Sequence, residues 1–355
     1  MPEPIDCLIR GRGAASAVAA VLLVVLLLGG CGSSARAAHG TSAPASGSGG
    51  SQSVAALAAG TAEAPCGAAA AQTAARTVVL AAEAIYRLEL NSVEVRADRR
   101  EVEGYEPLLS AVAEGNRAAI AKAVTQLVYS HTHIVRLRIT HGGTVLDDLG
   151  GAYSIAPVSG QLRLHGHVVG GYLFSVQDDV GYVKLETRYI GEPMLMRSGA
   201  GEIPVEGVVR PGSRAIPDDG PVTYRGTREQ AVSFTAEGFP ASRLKVTLLV
   251  PTPPAGLGCA AIRVYELGHI TQTMWQRFLL VSAPTSAFVK SAASVTGALM
   301  YVRAGSRQLA GSTIPGPAHL PVAGTLSYRG VPYRVTSFSA HAATGPVRVY
   351  ALIRA

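Results

Sequence analysis

The chain has 355 residues, with 31 Lys and Arg against 24 Asp and Glu, a formal charge of +7. The basic residues are scattered and no aromatic-basic interleaving accompanies them, which argues against a nucleic-acid-binding surface. Only four cysteines occur and none forms a CxxC pair, so thiol redox chemistry is excluded as the main activity.

Met1 to Arg12 forms a short leader region holding Arg10 and Arg12, and "AASAVAAVLLVVLLLGGC" follows from Ala14 to Cys31. This apolar run is short for a spanning helix and ends in small residues, as an export signal does. "LLGGC" resembles a bacterial lipobox. That resemblance makes residues 1–31 a lipoprotein signal peptide and Cys31 the lipidated first residue of the mature chain, anchored to the membrane rather than spanning it. An ordinary secretory signal or an anchor helix is the alternative, and each of the three exports the rest of the chain. Residues 32–65 are almost entirely Gly, Ser, Ala, Thr and Pro. They cannot bury enough apolar surface to fold and read as a tether.

Folding therefore starts near Cys66, leaving about 290 residues for one large domain or two modest ones. Cys66 and Cys259 are the two remaining thiols in an oxidising compartment, and each is followed by a helix-like segment. A Cys66–Cys259 disulfide is expected; two unpaired core thiols are the alternative. Arg76 to Val95 reads as one long helix. Tyr105 to Ser130 reads as a second helical stretch, broken at Glu114 to Asn116.

At Ile134 the apolar period changes from helical to two. Val135, Leu137 and Ile139 then share one face, and Arg136, Arg138 and Thr140 the other. His141 to Gly143 is a hairpin turn, and "PVSGQ" from Pro157 reads as another turn. Further strands are expected at 162–164, 168–176 and 182–190, with Asp178 and Asp179 shaping the turn before the last. The C-terminal part repeats itself. "VTYRGTREQAVSFTAEGFP" from Val222 matches "LSYRGVPYRVTSFSAHAAT" from Leu326 at an offset of 104 (328 − 224), and "VVRPGSR" at Val208 echoes "YVRAGSR" at Tyr301. The two helix-leading cysteines are 193 apart, so the second copy lacks about 89 residues (193 − 104). The expected fold is α+β: long N-terminal helices on an antiparallel sheet in a lobe spanning 66–255, then a shortened, related β-rich lobe at 256–355.

The run from about Leu108 to Arg197 resembles an extracytoplasmic Cache domain, a PAS-like bacterial sensor. The resemblance rests on "LLSAVAEGNRAAIAKAV", "HIVRLRITHGGTVLDDLGG" and "LRLHGHVVGGYLFSVQDDVGYVKLETRY". It implies a small ligand, often an organic acid or amino acid, held against one sheet face. In the residues themselves, Arg136 and Arg138 share a face of one strand, and Lys184 and Arg188 share a face of another. If those faces coincide, the cations converge where a carboxylate would sit, with His165, Tyr172, Ser175 and Tyr182 as further donors. A solvated outer face is the alternative. The Tyr, Arg, Trp, Tyr and Asp constellation of the amino-acid-binding Cache class is missing, so an amino-acid ligand is not supported.

A rival chemistry is a metal-dependent hydrolase built from His131, His133, His165, His167 and Asp178. No HExxH spacing, no G-x-S-x-G serine and no phosphate-cradling glycine loop supports catalysis. The reading that results is a non-enzymatic lipoprotein without cofactor or metal. It binds a small, anionic molecule outside the membrane and signals by contact with a membrane sensor protein. A structural or protein-interaction role in the cell envelope is the alternative.

Overall fold

The computed structural model describes residues 63–131, 133–199, 201–202, 216–239, 243–280 and 284–355. The leader, Cys31 and most of the expected tether lie outside the described residues. So does the "VVRPGSR" segment.

Helix α1 (Ala70–Glu89) forms because Ala74, Ala75, Val78, Ala81, Ala82 and Ile85 recur at three- and four-residue spacing and are buried together. The sequence predicts one helix running on to Val95. The chain instead breaks at Leu90 to Ser92, where the Ser92 hydroxyl accepts from the Val95 amide at 3.1 Å and caps α2 (Val93–Gly104). Helices α3 (Glu106–Ala113) and α4 (Arg117–Gln126) are separated at the expected place. There Gly115 is left-handed, and Asn116 caps α4 by accepting from the Ala119 amide at 3.1 Å.

Strands β1 (Arg136–His141), β2 (Thr144–Gly150), β4 (Val158–Leu164) and β5 (His167–Ser175) make an antiparallel sheet ordered β2-β1-β5-β4. Gly142 and Gly143, with φ of 55° and 81°, make the β1–β2 turn. "PVSGQ" is not a turn, since Val158 already pairs with Phe174. One face of this sheet carries Leu137, Ile139, Val158, Leu162, Tyr172 and Phe174, which pack with α2, α3 and α4 into a separate core. The short strands β3 (Ser154–Ile155) and β6 (Gln177–Asp178) pair with each other.

The largest departure from expectation is at Tyr182 to Ile190. It is helical, within and just after α5 (Asp179–Tyr189), and not a strand. The Asp178 carboxylate accepts from the Gly181 amide at 2.6 Å, and Asp179 lies in the first turn. The two aspartates thus start a helix, where negative charge is favoured. Tyr182, Val183, Glu186 and Ile190 are all buried, which is helical spacing.

The middle lobe follows, with β7 (Met194–Ser198), β8 (Gly201–Glu202), β9 (Gly220–Tyr224), β10 (Thr227–Phe239) and β11 (Arg243–Pro251). The C-terminal lobe has α6 (Cys259–Leu280) and α7 (Thr285–Thr296), then β12 (Leu299–Ala304), β13 (Arg307–Gly311), β14 (Gly324–Tyr328), β15 (Val331–Ala342) and β16 (Gly345–Arg354). Its sheet runs β13-β12-β16-β15-β14, and the middle sheet runs β8-β7-β11-β10-β9, the same order. The fold is α+β throughout.

The repeat seen in the sequence is a repeat of structure. In both copies Tyr-Arg-Gly is the turn of a hairpin: Arg225 and Gly226 have φ of 49° and 81°, Arg329 and Gly330 of 52° and 74°. Ser233 donates to the Asp218 carbonyl and Ser337 to the Val322 carbonyl. The missing stretch is also located. Residues 90–178, 89 in number, lie between α1 and α5 and hold the whole first sheet with its helices. The expected lobe at 66–255 therefore contains two cores. Conversely, the middle and C-terminal lobes share one core, built from α1, α5, α6, α7, β10, β11, β12 and β16. Cys66 and Cys259 are joined as expected, with Cα atoms 4.8 Å apart, pinning the starts of α1 and α6 together.

Candidate functional site

The eight ligand-binding residues expected from the sequence do not meet. Arg136 and Arg138 do share the face of β1 away from the first core, but both are engaged. Arg136 donates to Asp148 at 2.9 and 3.0 Å and to the Gly151 carbonyl at 2.5 Å. Arg138 donates twice to Asp148, at 3.0 and 2.7 Å. Both guanidiniums lie over the Phe239 ring of β10, at 4.5 and 4.8 Å. Burial alone would raise the Asp148 carboxyl, but the two arginines outweigh it and hold the carboxyl below its usual range. The cluster therefore clamps the first sheet to the end of the middle sheet.

The other expected donors are dispersed. Tyr172 is in the first core and donates to Glu103 at 2.6 Å. Ser175 is fully buried and donates to the Ile155 carbonyl. His165 is exposed in the β4–β5 turn with a φ of 49°. Tyr182, Lys184 and Arg188 are on α5, a helix rather than the expected strand, where Tyr182 is buried against Glu186 and Lys184 is exposed. Among the described residues, no group of three or more His, Cys, Asp and Glu is placed to hold a metal ion. A cleft of about 380 Å³ is lined by Glu103, Gln161 and Arg163 beside the first sheet. Arg163 there donates to Gln161 at 2.7 Å.

A different cluster, missed in the sequence, lies on the middle sheet. Its outward face, opposite the shared helices, carries a small apolar group of Leu195, Ile216, Ala231 and Leu249. Beside it Arg197 donates to Asp218 at 2.6 Å and to the Ile216 carbonyl. Lys245, directly across from Arg197 on β11, donates to the other Asp218 oxygen. Ser233 and Thr247 complete the patch, with hydroxyls 2.8 Å apart. Lys245 and Arg197 together hold the Asp218 carboxyl below its usual range. Two cations thus share the Asp218 carboxylate, and the neighbouring Asp219 carboxylate accepts from the Ser233 amide at 3.3 Å.

The C-terminal lobe has the same positions with other residues. Strand pairing sets Met196 opposite Val246 and Val302 opposite Val349, with Phe234 and Phe338 in register beside them. Arg197 therefore corresponds to Arg303, and the glycine two residues later is left-handed in both, Gly199 at 62° and Gly305 at 60°. This makes β7 the counterpart of β12, which corrects the expected echo at Val208. Leu195, Ala231 and Thr247 correspond to Tyr301, Val335 and Tyr350, which form a filled outer core with Leu352. A Cβ on Gly311 or Gly316 would stand 2.6 Å from the Tyr301 ring. Arg303 is buried and donates to the Ala318 carbonyl at 3.1 Å and to that of Pro317.

Three carboxyls on or beside the helices are raised by burial, Glu186 and Glu266 being buried and Glu192 half-buried. Glu186 on α5 is fully buried, and burial raises it to about 8. Glu266 on α6 is raised to about 7 by burial, and Glu192 to about 8 by burial and then by Glu266 and Glu229.

No protein-family model matches the chain, and no curated protein matches it. Distant similarity exists to three solved structures. Two structures of the LuxQ periplasmic domain of Vibrio cholerae are similar at TM-scores of 0.17 and 0.16 with 8% identity. They cover 79% and 78% of this chain, and 97% and 99% of theirs. The ligand-binding domain of Mlp24, solved with asparagine, is similar at a TM-score of 0.16 and 8% identity, over 79% of this chain and 95% of that one. Similarity at these values is too distant to assign a ligand. No helix among the described residues is long and apolar enough to cross a membrane.

Proposed function

We propose that the chain is a membrane-tethered, extracytoplasmic receptor for a small anionic molecule, without catalytic activity, and that its site is the outward face of the middle lobe. The carrying observation is the pair Arg197 and Lys245, converging on Asp218 beside side chains smaller than those at the same positions of the related lobe. A guanidinium and an ammonium bind carboxylate or phosphate oxygens through charge-assisted hydrogen bonds. The Asp218 carboxylate stands in for such a ligand in this structure.

The mechanism follows from competition. An incoming anion displaces the Asp218 carboxylate from Arg197 and Lys245. Arg197 also holds the Ile216 carbonyl, and Ser233 holds the Asp218 carbonyl. Displacement therefore biases the chain around 216–219 toward a second arrangement. A partner that binds the two arrangements differently reads the ligand. Export is supported by the Cys66–Cys259 disulfide and by the lipobox-like run ending at Cys31, which supplies the anchor. A membrane sensor protein is the partner this reading requires.

The test is a thermal-shift screen of the full chain in detergent against small carboxylates and inorganic phosphate. A ligand at 100 times its dissociation constant adds about 2.7 kcal/mol of stability. A hit that disappears in Arg197→Ala is expected. A hit that survives in Arg197→Ala and disappears in Arg136→Ala would return the site to the first sheet. No hit at all would favour the structural envelope role.

A further inference from the structure

The basic residues are scattered, but the acidic ones are not. From Leu267 to the end, 89 residues contain eight Lys and Arg and no Asp or Glu. The first 266 residues hold the other 23 basic residues and all 24 acidic ones. The formal excess of +7 is therefore a property of the C-terminal lobe. Of these eight, Arg329, Arg334 and Arg354 lie at the Tyr328–Arg329 end of the sheet, with Arg334 paired to Glu63, and Arg303, Arg307 and Arg348 lie at its other end.

The two Tyr-Arg-Gly tips lie at one end of the body. Strand β10 has its far part beside the end of α1, where the Glu237 amide donates to the Tyr86 hydroxyl. Its beginning is accordingly level with the start of α1. There Thr252 donates to the Arg228 carbonyl and the Cys66 amide donates to that of Leu257. On β15, Arg334 donates to Glu63 at 3.2 Å, and the same carboxylate accepts from the Ala260 amide beside Cys259. Further along, Thr336 touches Gly268 on the third turn of α6. The strand thus runs away from the disulfide, and its tip projects about 16 Å beyond Arg334. The C-terminus is at the same end, where the Ala355 amide bonds the Pro332 carbonyl.

Arg225 and Arg329 at these tips are exposed, as are Arg228 and Arg354. Each tip arginine lies over its neighbouring tyrosine, Tyr224 at 5.1 Å and Tyr328 at 5.2 Å. Each also adopts a left-handed backbone that a side chain normally avoids. Glu63, the first described residue, is at this same end.

We infer that the disulfide end of the body docks on an anionic bilayer surface, with the Tyr224–Arg225 and Tyr328–Arg329 tips as its contact points. Arginine beside tyrosine suits the headgroup region, where phosphates meet amphipathic rings. Tethering through Cys31 raises the local concentration of that surface, so individually weak contacts suffice. The inference rests on the membrane-tethered reading and is independent of the middle-lobe ligand.

The test is amide hydrogen exchange on the full chain reconstituted into vesicles of phosphatidylcholine, alone or with phosphatidylglycerol, at low and high salt. The expected result is exchange at 224–228 and 328–332 slowed roughly tenfold on the anionic vesicles at low salt only. The turns at Gly142–Gly143 and His165–Gly166 should exchange equally on both vesicle types. The double variant Arg225→Gln/Arg329→Gln should abolish the protection while remaining vesicle-bound. Equal exchange of the tips on both vesicle types, with the chain still in the vesicle fraction, would overturn docking. So would protection that persists in the double variant, or protection by a soluble anionic polymer without any by vesicles. Chain lost from the vesicles altogether would overturn the tether, and docking with it.

Discussion

The middle and C-terminal lobes are two solutions on one framework. Their sheets have the same strand order, their Tyr-Arg-Gly hairpins the same left-handed turns, and their first strands an equivalent arginine. They differ in what occupies the outward face. In the C-terminal lobe Tyr301, Val335 and Tyr350 fill it, and Arg303 binds the carbonyls of the covering loop. In the middle lobe the same positions are Leu195, Ala231 and Thr247, and Arg197 shares a carboxylate with Lys245. Both arginines hold loop carbonyls and both face a cation on the next strand, Lys245 and Arg348; the middle lobe alone sets a carboxylate, Asp218, on its pair among the described residues. Fold alone therefore does not place a site; side-chain volume and charge on one face do.

The largest expected effect tests what the lobes share. The disulfide closes a separation of 193 residues, so Cys66→Ala/Cys259→Ala should cost about 2–5 kcal/mol in chemical denaturation. Next, Tyr301→Ala should cost about 3–5 kcal/mol, because it empties a fully buried ring site. Leu195→Ala, which empties a buried site in the smaller cluster of Leu195, Ile216, Ala231 and Leu249, should cost about 2–5 kcal/mol in the same assay. Arg303→Ala leaves two loop carbonyls without their donor and should cost about 2 kcal/mol, without altering any ligand response. Arg197→Ala should cost about 1 kcal/mol and abolish the response.

The pH dependence of stability tests the three carboxyls on or beside the helices. Burial raises Glu186, Glu192 and Glu266 above their unfolded range, so the folded state binds more protons than the unfolded chain. Their contribution is fully present below about pH 4.5 and is lost as pH rises through about 7 to 8. The melting temperature should fall between pH 5 and pH 8.5. Glu186→Gln should remove part of that fall, raising stability at pH 8.5 by on the order of 2 kcal/mol. A melting temperature flat across this range would show that these carboxyls ionise freely in the folded state.

Much of the architecture was legible in the sequence. The repeat, the two helical stretches, the hairpin at His141 to Gly143 and the cysteine pair all depend on short-range pattern or on simple elimination. The segment after Asp178 was misread because "YVKLETRY" alternates apolar and polar residues closely enough to pass for a strand. Its N-cap at Asp178 decides for helix, and a cap and a turn use the same residue types. The donors at Arg136 and Arg138 were visible, but their partner was not. Asp148 is on the neighbouring strand and Phe239 is about a hundred residues away in sequence. Arg197 was hidden for a different reason. The repeat offset of 104 becomes 106 at β7, so "MLMRSG" falls out of alignment with "MYVRAG". Only strand register restores it.

The most direct measurement is isothermal titration of the best screening hit into the full chain and into Arg197→Ala and Arg303→Ala. Binding retained in Arg303→Ala and lost in Arg197→Ala is the expected result, because the proposed site is the Arg197–Lys245 pair that holds the Asp218 carboxylate. Binding lost in Arg303→Ala but kept in Arg197→Ala would contradict it, and would move the site to the C-terminal lobe.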